Sequence, residues 1–303
     1  MSTLFMYLTA CLAGCYLLIV LVMYFAQTRL VFPSYLASFA ETELPTSARR
    51  LRIAAADGTH LAGVLFPPTC ERHGEEGLLL AFGGNVWDVD NMALSLQHHF
   101  ASMWVAAFHY RGYRPSGGRP GAKVVLADAL AIFDGLQAQL PAKRTIAIGF
   151  SIGSPVATYL ARHRALDGLI LVTPFDSLVE LARGHFPWLP VRWLLKHKMS
   201  TIDFIREVSV PTAMIVAERD SVVPARRSEP LRCATPNLVF DCIIPDAEHN
   251  DLYERPEFWG ALVSAVIEVV RTETNSAALE RQPRPPDLQL SAVGTQPTRK
   301  QGL

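Results

Sequence analysis

A short apolar run breaks at a serine set between glycines, and that break constrains everything that can surround it. In "RTIAIGF", residues 144–150, β-branched and apolar side chains predict a short buried strand. "PVATYLARH", residues 155–163, reads as a helix with Pro155 in its first turn. Between them stand Gly149, Phe150, Ser151, Ile152 and Gly153, a G-x-S-x-G sequence. At a strand-to-helix junction this pattern makes a strained turn that lifts the serine hydroxyl above the sheet, with glycines where backbone comes close. The competing reading is a plain helix start capped by Ser151 or Ser154. Partners elsewhere in the chain decide between the two.

The neighbouring segments predict an α/β fold, a mostly parallel sheet with helices on both faces. "LRIAAADGTHLAGVLFPP" (51–68) reads as two strands joined at Asp57-Gly58. "GLLLAFGGN" (77–85) and "MWVAAFHYRG" (103–112) read as strands, with a helical pattern between them. Residues 124–140 have helical periodicity, and 166–177, 212–224 and 238–250 each contain a strand. "PEFWGALVSAVIEVVR" (256–271) is a closing amphipathic helix.

Catalytic groups of such sheets gather at the carboxyl ends of the strands. Asp220 follows "AMIVAER" and His249 follows "IIPDAE". The order Ser151, Asp220, His249 is that of a nucleophile, an orienting acid and a base. A serine hydroxyl attacks only when an imidazole takes its proton, and a carboxylate fixes that imidazole's tautomer. Asp176 is the reserve carboxylate, whereas Asp246 and Asp251 read as loop or helix-start residues. An oxyanion needs donors. The backbone N–H of Ile152 is one, and Asn85, after Gly83 and Gly84 in "AFGGN", is the other by position.

Composition narrows the partners. The 303 residues are 50% hydrophobic, and 28 basic residues balance 28 acidic ones. No basic field recruits nucleic acid. Cys11, Cys15, Cys70, Cys233 and Cys242 are scattered without ligand spacing, so neither disulfides, a metal nor a cofactor is expected.

Residues 4–26 carry no charge, enough for a bilayer-spanning helix of about 20 residues. The absence of a preceding Lys or Arg and the length of the run disfavour a cleaved signal peptide, and "LAGC" (12–15) as a lipoprotein site is disfavoured likewise. Arg29 follows the span and favours a cytoplasmic catalytic domain. The expected layout is a transmembrane anchor at 1–29, a catalytic domain at 30–273 with a cap at about 176–210, and a polar, proline-bearing tail at 274–303 read as disordered.

With these pieces assembled, the chain resembles the α/β-hydrolase superfamily. More narrowly it resembles the single-pass membrane-anchored hydrolases that include fungal cell-shape proteins and protein depalmitoylases. The resemblance runs over residues 20–272, through "QTRLVFP", "HYRGYRPSGGRPG", "GFSIGSPVATYLA", "TPFDSLVELA", "FPWLPVRWLLKHK" and "DAEHNDLY". It implies a serine hydrolase that cleaves an ester, thioester or amide through an acyl-enzyme, acting on an acyl or lipid-like substrate or an acylated protein. It also implies that the insertion between Phe175 and Pro211 is a small cap. Phe186, Trp188, Leu189, Trp193 and Leu194 either offer apolar area near the pocket mouth or simply pack the cap onto the core, and His185 and His197 read as exposed cap residues rather than ligands. There are two departures. The family usually has His-Gly-Asn where this chain has Gly83-Gly84-Asn85, and an aspartate where it has His109. They leave an inactive hydrolase-fold scaffold or binding protein as the alternative.

Overall fold

Three consecutive leucines, Leu78, Leu79 and Leu80, are fully buried, which is possible only in a strand covered on both faces. They lie in β3 of an eight-stranded sheet. In the computed structural model, which describes residues 2–37, 42–70, 77–140 and 142–280, the strands are β1 (Arg49–Ala54), β2 (His60–Phe66), β3 (Gly77–Phe82), β4 (Trp104–Phe108), β5 (Arg144–Phe150), β6 (Gly168–Val172), β7 (Thr212–Ala217) and β8 (Leu238–Ile244). Their order is β1-β2-β4-β3-β5-β6-β7-β8. The β1–β2 and β2–β4 pairs are antiparallel and the others parallel, so the expected α/β class holds.

The helices are α1 (Ser2–Val31), α2 (Val89–His99), α3 (Ala122–Gln137), α4 (Gly153–His163), α5 (Leu178–His185), α6 (Val191–Leu194), α7 (Thr201–Ile205), α8 (Glu229–Ala234) and α9 (Pro256–Glu280). Side chains alternate across the sheet and build two cores. Leu78, Leu80, Ala147 and Met214 face α3, α4, α7 and α8. Leu79, Ile146, Ile148, Phe150 and Ile215 face α2 and α9. Because β3 and β5 pair in register at the centre, every loop at their carboxyl ends opens on one edge. The last helix runs to Glu280, past the boundary expected at 273, and the remainder of the expected tail lies outside the described residues.

The hairpin turn at Asp57-Gly58 is anchored from a distance. Gly58 sits at φ 79°, and Asp57 accepts the Thr59 N–H at 3.0 Å. The buried Arg111 guanidinium bonds Asp57 at 2.5 Å and the buried Asp128 at 2.6 Å. Its hydrogen bond, helped by Thr59, holds the Asp57 carboxyl well below the usual carboxylate range. A depressed folded-state pKa stabilises above the unfolded value and is lost as pH falls through the folded one. Wild type is therefore expected to melt above Asp57→Asn at neutral pH, with the gap closing in acid. Calorimetry across pH checks it, and a pH-independent gap contradicts it.

Candidate active site

The two glycines of the elbow have a steric reason. A Cβ on Gly153 would stand 2.1 Å from the Phe82 carbonyl oxygen at the end of β3, and one on Gly149 would stand 2.5 Å from the Gly153 carbonyl oxygen. The turn between them is tight enough to force Ser151 to φ 49°, a left-handed conformation costly for any residue with a Cβ. Its N–H is held by the Val172 carbonyl of β6 at 2.9 Å. The capping alternative is not realised. Ile152 is the N-cap of α4 and no side chain caps it, while the Ser154 hydroxyl donates to the Gly149 carbonyl at 3.1 Å. The N-terminus of α4 thus begins beside Ser151, where its partial positive charge favours an anion.

Asp220 and His249 meet. His249 Nδ1 lies 2.6 Å from Asp220 Oδ2, which makes Nδ1 the protonated nitrogen and leaves Nε2 free to accept. The other oxygen of Asp220 receives the N–H groups of Val222 at 2.9 Å and Val223 at 2.6 Å. The carboxylate is buried and its hydrogen-bonding capacity is used, so it cannot swing. Among the described residues no hydrogen bond joins Ser151 Oγ to His249. Such bonds are often long in free enzymes and tighten around substrate.

Asp176 is placed otherwise. It bonds the Ser177 N–H at 2.8 Å and pairs with Arg227 at 3.1 Å, and burial raises its pKa. Its carboxylate is thus committed to Arg227 and the Ser177 N–H. Asp246 pairs with Arg219, and Asp251 pairs with Arg255 and accepts the Glu248 N–H at 2.7 Å.

The loop after β3 holds Asn85 by its side chain. Asn85 Nδ2 donates to the Val31 carbonyl at the end of α1 at 2.8 Å, and Tyr113 donates to Asn85 Oδ1 at 2.6 Å. Burial raises the Tyr113 pKa, so the phenol keeps the proton it donates. Tyr110 likewise donates to the Gly83 carbonyl at 2.8 Å. With the side chain committed, only the main chain of Asn85 is left to face a substrate. Gly83 has room for a Cβ, whose nearest neighbours would be 3.7 Å away on Met92 and Trp87. His109 lies 4.0 Å from Asp90, and burial lowers its pKa. Val31 and Tyr113 left no signal as positioning residues, because their bonds to Asn85 bridge 54 and 28 residues of chain.

Strain gathers on this edge. Among the described residues, four that are not glycine have positive φ: Val86 at 62°, Ser151 at 49°, Thr173 at 45° and Asp246 at 56°. They follow β3, β5, β6 and β8, all at carboxyl ends.

The segment expected to form the cap contains α5, α6 and α7, and both of its histidines have partners. His185 Nε2 donates to the Val222 carbonyl at 2.8 Å. His197 is half-buried, contrary to the exposed position expected. Its Nε2 donates to Thr28 Oγ1 at 2.7 Å, and Nδ1 accepts the Ala122 N–H at 3.4 Å.

No family model matches the chain. An uncharacterized protein of Mycobacterium tuberculosis is 34% identical over 229 residues, which cover 74% of this chain and 81% of that protein. The lysophosphatidylserine lipase ABHD12 of Danio rerio is 30% identical over 138 residues, 40% of this chain and 36% of that one. Among solved structures, the Pyrococcus furiosus esterase Pf2001 superposes with a TM-score of 0.60 at 19% identity, covering 78% of this chain and 96% of its own. A putative hydrolase of Agrobacterium vitis does so at 0.58 and 18%, over 75% and 100%. The chain belongs to the α/β-hydrolase superfamily. Within this α/β hydrolase, the sheet order and the loops at the carboxyl ends of β3, β5, β7 and β8 define the candidate site.

Proposed function

We propose that this α/β hydrolase is a membrane-anchored serine hydrolase that cleaves an ester, thioester or amide through an acyl-enzyme. The observation that carries the reading is the His249–Asp220 bond of 2.6 Å on the same sheet edge as a Ser151 held at φ 49°. His249 Nε2 takes the Ser151 proton as Oγ bonds the substrate carbonyl carbon. The imidazolium then gives that proton to the leaving group as the carbonyl reforms. Water repeats the sequence and frees the acid. Asp220 stays ionised, holding the tautomer and balancing the imidazolium charge.

The oxyanion is met by the N–H groups of Ile152 and Asn85, neither of which has a partner among the described residues. Proline at 85 removes one donor. A folded Asn85→Pro protein is expected to lose about 10²- to 10³-fold in kcat, and undiminished turnover excludes that donor.

Anchoring rests on α1. It is one helix of 30 residues with mean hydropathy 2.3 over its best window, and that window is unburied. A fluorophosphonate probe on the full chain in native membranes tests both halves of the proposal. Adducts at Ser151, in a fraction that resists alkaline carbonate and yields to detergent, support it. An unlabelled folded protein favours the scaffold alternative, and release by carbonate removes the anchor.

A further inference from the structure

The face of α1 that meets the cap is not sealed. Met23, Leu30 and Val31 from the helix and Phe186, Leu189 and Leu194 from the cap line a cavity of about 90 Å³. A single water needs about 10–15 Å³ by the same measure, so there is room for several. Yet the walls give water nothing to bond. The polar side chain among them is Gln27, and its amide is used up. Nε2 donates to the Tyr24 carbonyl at 2.7 Å and the Leu194 carbonyl at 3.1 Å, and Oε1 accepts the Lys196 N–H at 2.6 Å. An apolar hollow of this kind, open on one side, favours an apolar guest over water.

We infer that this cavity receives the acyl chain of the substrate, and that the chain enters it from the bilayer along α1. The inference rests on the serine-hydrolase reading and names where that enzyme's substrate lies. Two further observations support it. On the outer side, the cap touches α1 from Tyr16, whose hydroxyl donates to the Trp188 carbonyl at 3.0 Å, to Thr28, a stretch of about 18 Å at 1.5 Å per residue. Tyr16 lies inside the uncharged segment 4–26, so the cap runs beside the part of the helix suited to lipid. There it exposes Phe186 (39%), Trp188 (51%) and Trp193 (88%), interleaved with Arg192, Lys196 and Lys198. Tryptophan and basic side chains with apolar stems are the residues that settle at a membrane boundary. On the inner side, Val31 lines the cavity, and its carbonyl accepts from Asn85, the candidate oxyanion donor. An alkyl chain lodged there would run from Val31, beside the Asn85 loop, toward the exposed apolar side chains of the cap.

The test uses the full chain in phosphatidylcholine vesicles. Met23→Trp fills the cavity from the helix and Leu194→Trp from the cap. Each is expected to lower the ratio of long-chain to acetyl ester turnover by about tenfold or more, the scale on which apolar pockets discriminate methylenes. An unchanged ratio in both variants makes the cavity a packing void and overturns the inference. A second readout needs no catalysis. A non-hydrolysable alkyl ether carrying a terminal diazirine is expected to crosslink to residues 186–195 in wild type and Ser151→Ala alike, and to lose those adducts in Met23→Trp. Adducts spread along α1 with none in the cap overturn the inference even in an active enzyme. Cap adducts in a chain that hydrolyses nothing refute the hydrolase reading and leave the alkyl site standing.

Discussion

Ser151→Ala is expected to reduce hydrolysis of an activated ester to near background, a loss on the scale of about 10⁶-fold in kcat, with the fold intact. The size follows from what the hydroxyl does. Without Oγ there is no acyl-enzyme, and the His249–Asp220 pair has no proton to move. The N–H donors remain and leave a residue of rate above the uncatalysed one. His249→Ala is expected to match it, because a serine alcohol is unreactive without its base. Asp220→Asn is expected to cost about 10⁴-fold, through the wrong imidazole tautomer. Asp176→Asn is the internal control. Its carboxylate pairs with Arg227, so its loss is expected to disturb the cap base and spare most of kcat. Steady-state kinetics on the four variants checks the set. Near-normal turnover by Ser151→Ala ends the assignment, and a crippled Asp176→Asn beside an active Asp220→Asn moves the acid.

Gly153→Ala is expected to be the most damaging single methyl in the domain. The added carbon would stand 2.1 Å from the Phe82 carbonyl oxygen and 2.9 Å from that of Gly83. Both obstacles are backbone, so neither can rotate away. Overpacking commonly costs about 1–3 kcal/mol where side chains can yield. Here the last residue of β3 or the start of α4 must move, and a loss of more than about 3 kcal/mol is expected, in the range reserved for a few named mechanisms. The same shift displaces Ile152, so the surviving folded fraction is also expected to turn over poorly. Gly260→Ala in α9 is the comparison, since a Cβ there meets nothing within 4 Å. It is expected to be neutral or to stabilise by up to about 1 kcal/mol. Urea denaturation separates the pair, and equal midpoints for Gly153→Ala and wild type refute the steric account.

The centre of this protein was legible because its signals are local. Buried parallel strands read as continuous apolar runs, and "GLLLAF" and "RTIAIGF" became β3 and β5. The Asp57-Gly58 turn announced a hairpin, and Ser151, Asp220 and His249 each follow the end of a strand, β5, β7 and β8. What stayed hidden was long-range. Gln27 bonds partners 167 and 169 residues away, and Asn85 bonds one 54 residues away. A single polar contact of that reach has no periodicity and no neighbouring punctuation. The apolar pattern of residues 4–26 read as a lipid-facing span, whereas from Tyr16 onward one side of α1 is also a protein-packing surface. The end of the last helix was hidden for a different reason. Its final turns carry no sustained apolar stripe, and helix propensity without a stripe is a weak signal.

Val86, Ser151, Thr173 and Asp246 share a cost as well as an edge. Each strained residue of this kind stores about 1–3 kcal/mol, so the four together rival the net stability of an ordinary domain. The buried strands act as a frame under load, and the load is carried at one end only. Directed evolution toward heat tolerance therefore meets an asymmetric landscape. Relaxing any of the four positions is the quickest gain and falls where geometry matters for turnover. Substitutions at the amino ends of the parallel strands and along the β1–β2 hairpin can raise the melting point without unloading the frame. Survivors of a selection for heat tolerance and activity together should carry their changes there, and survivors selected for heat tolerance alone should not be so confined.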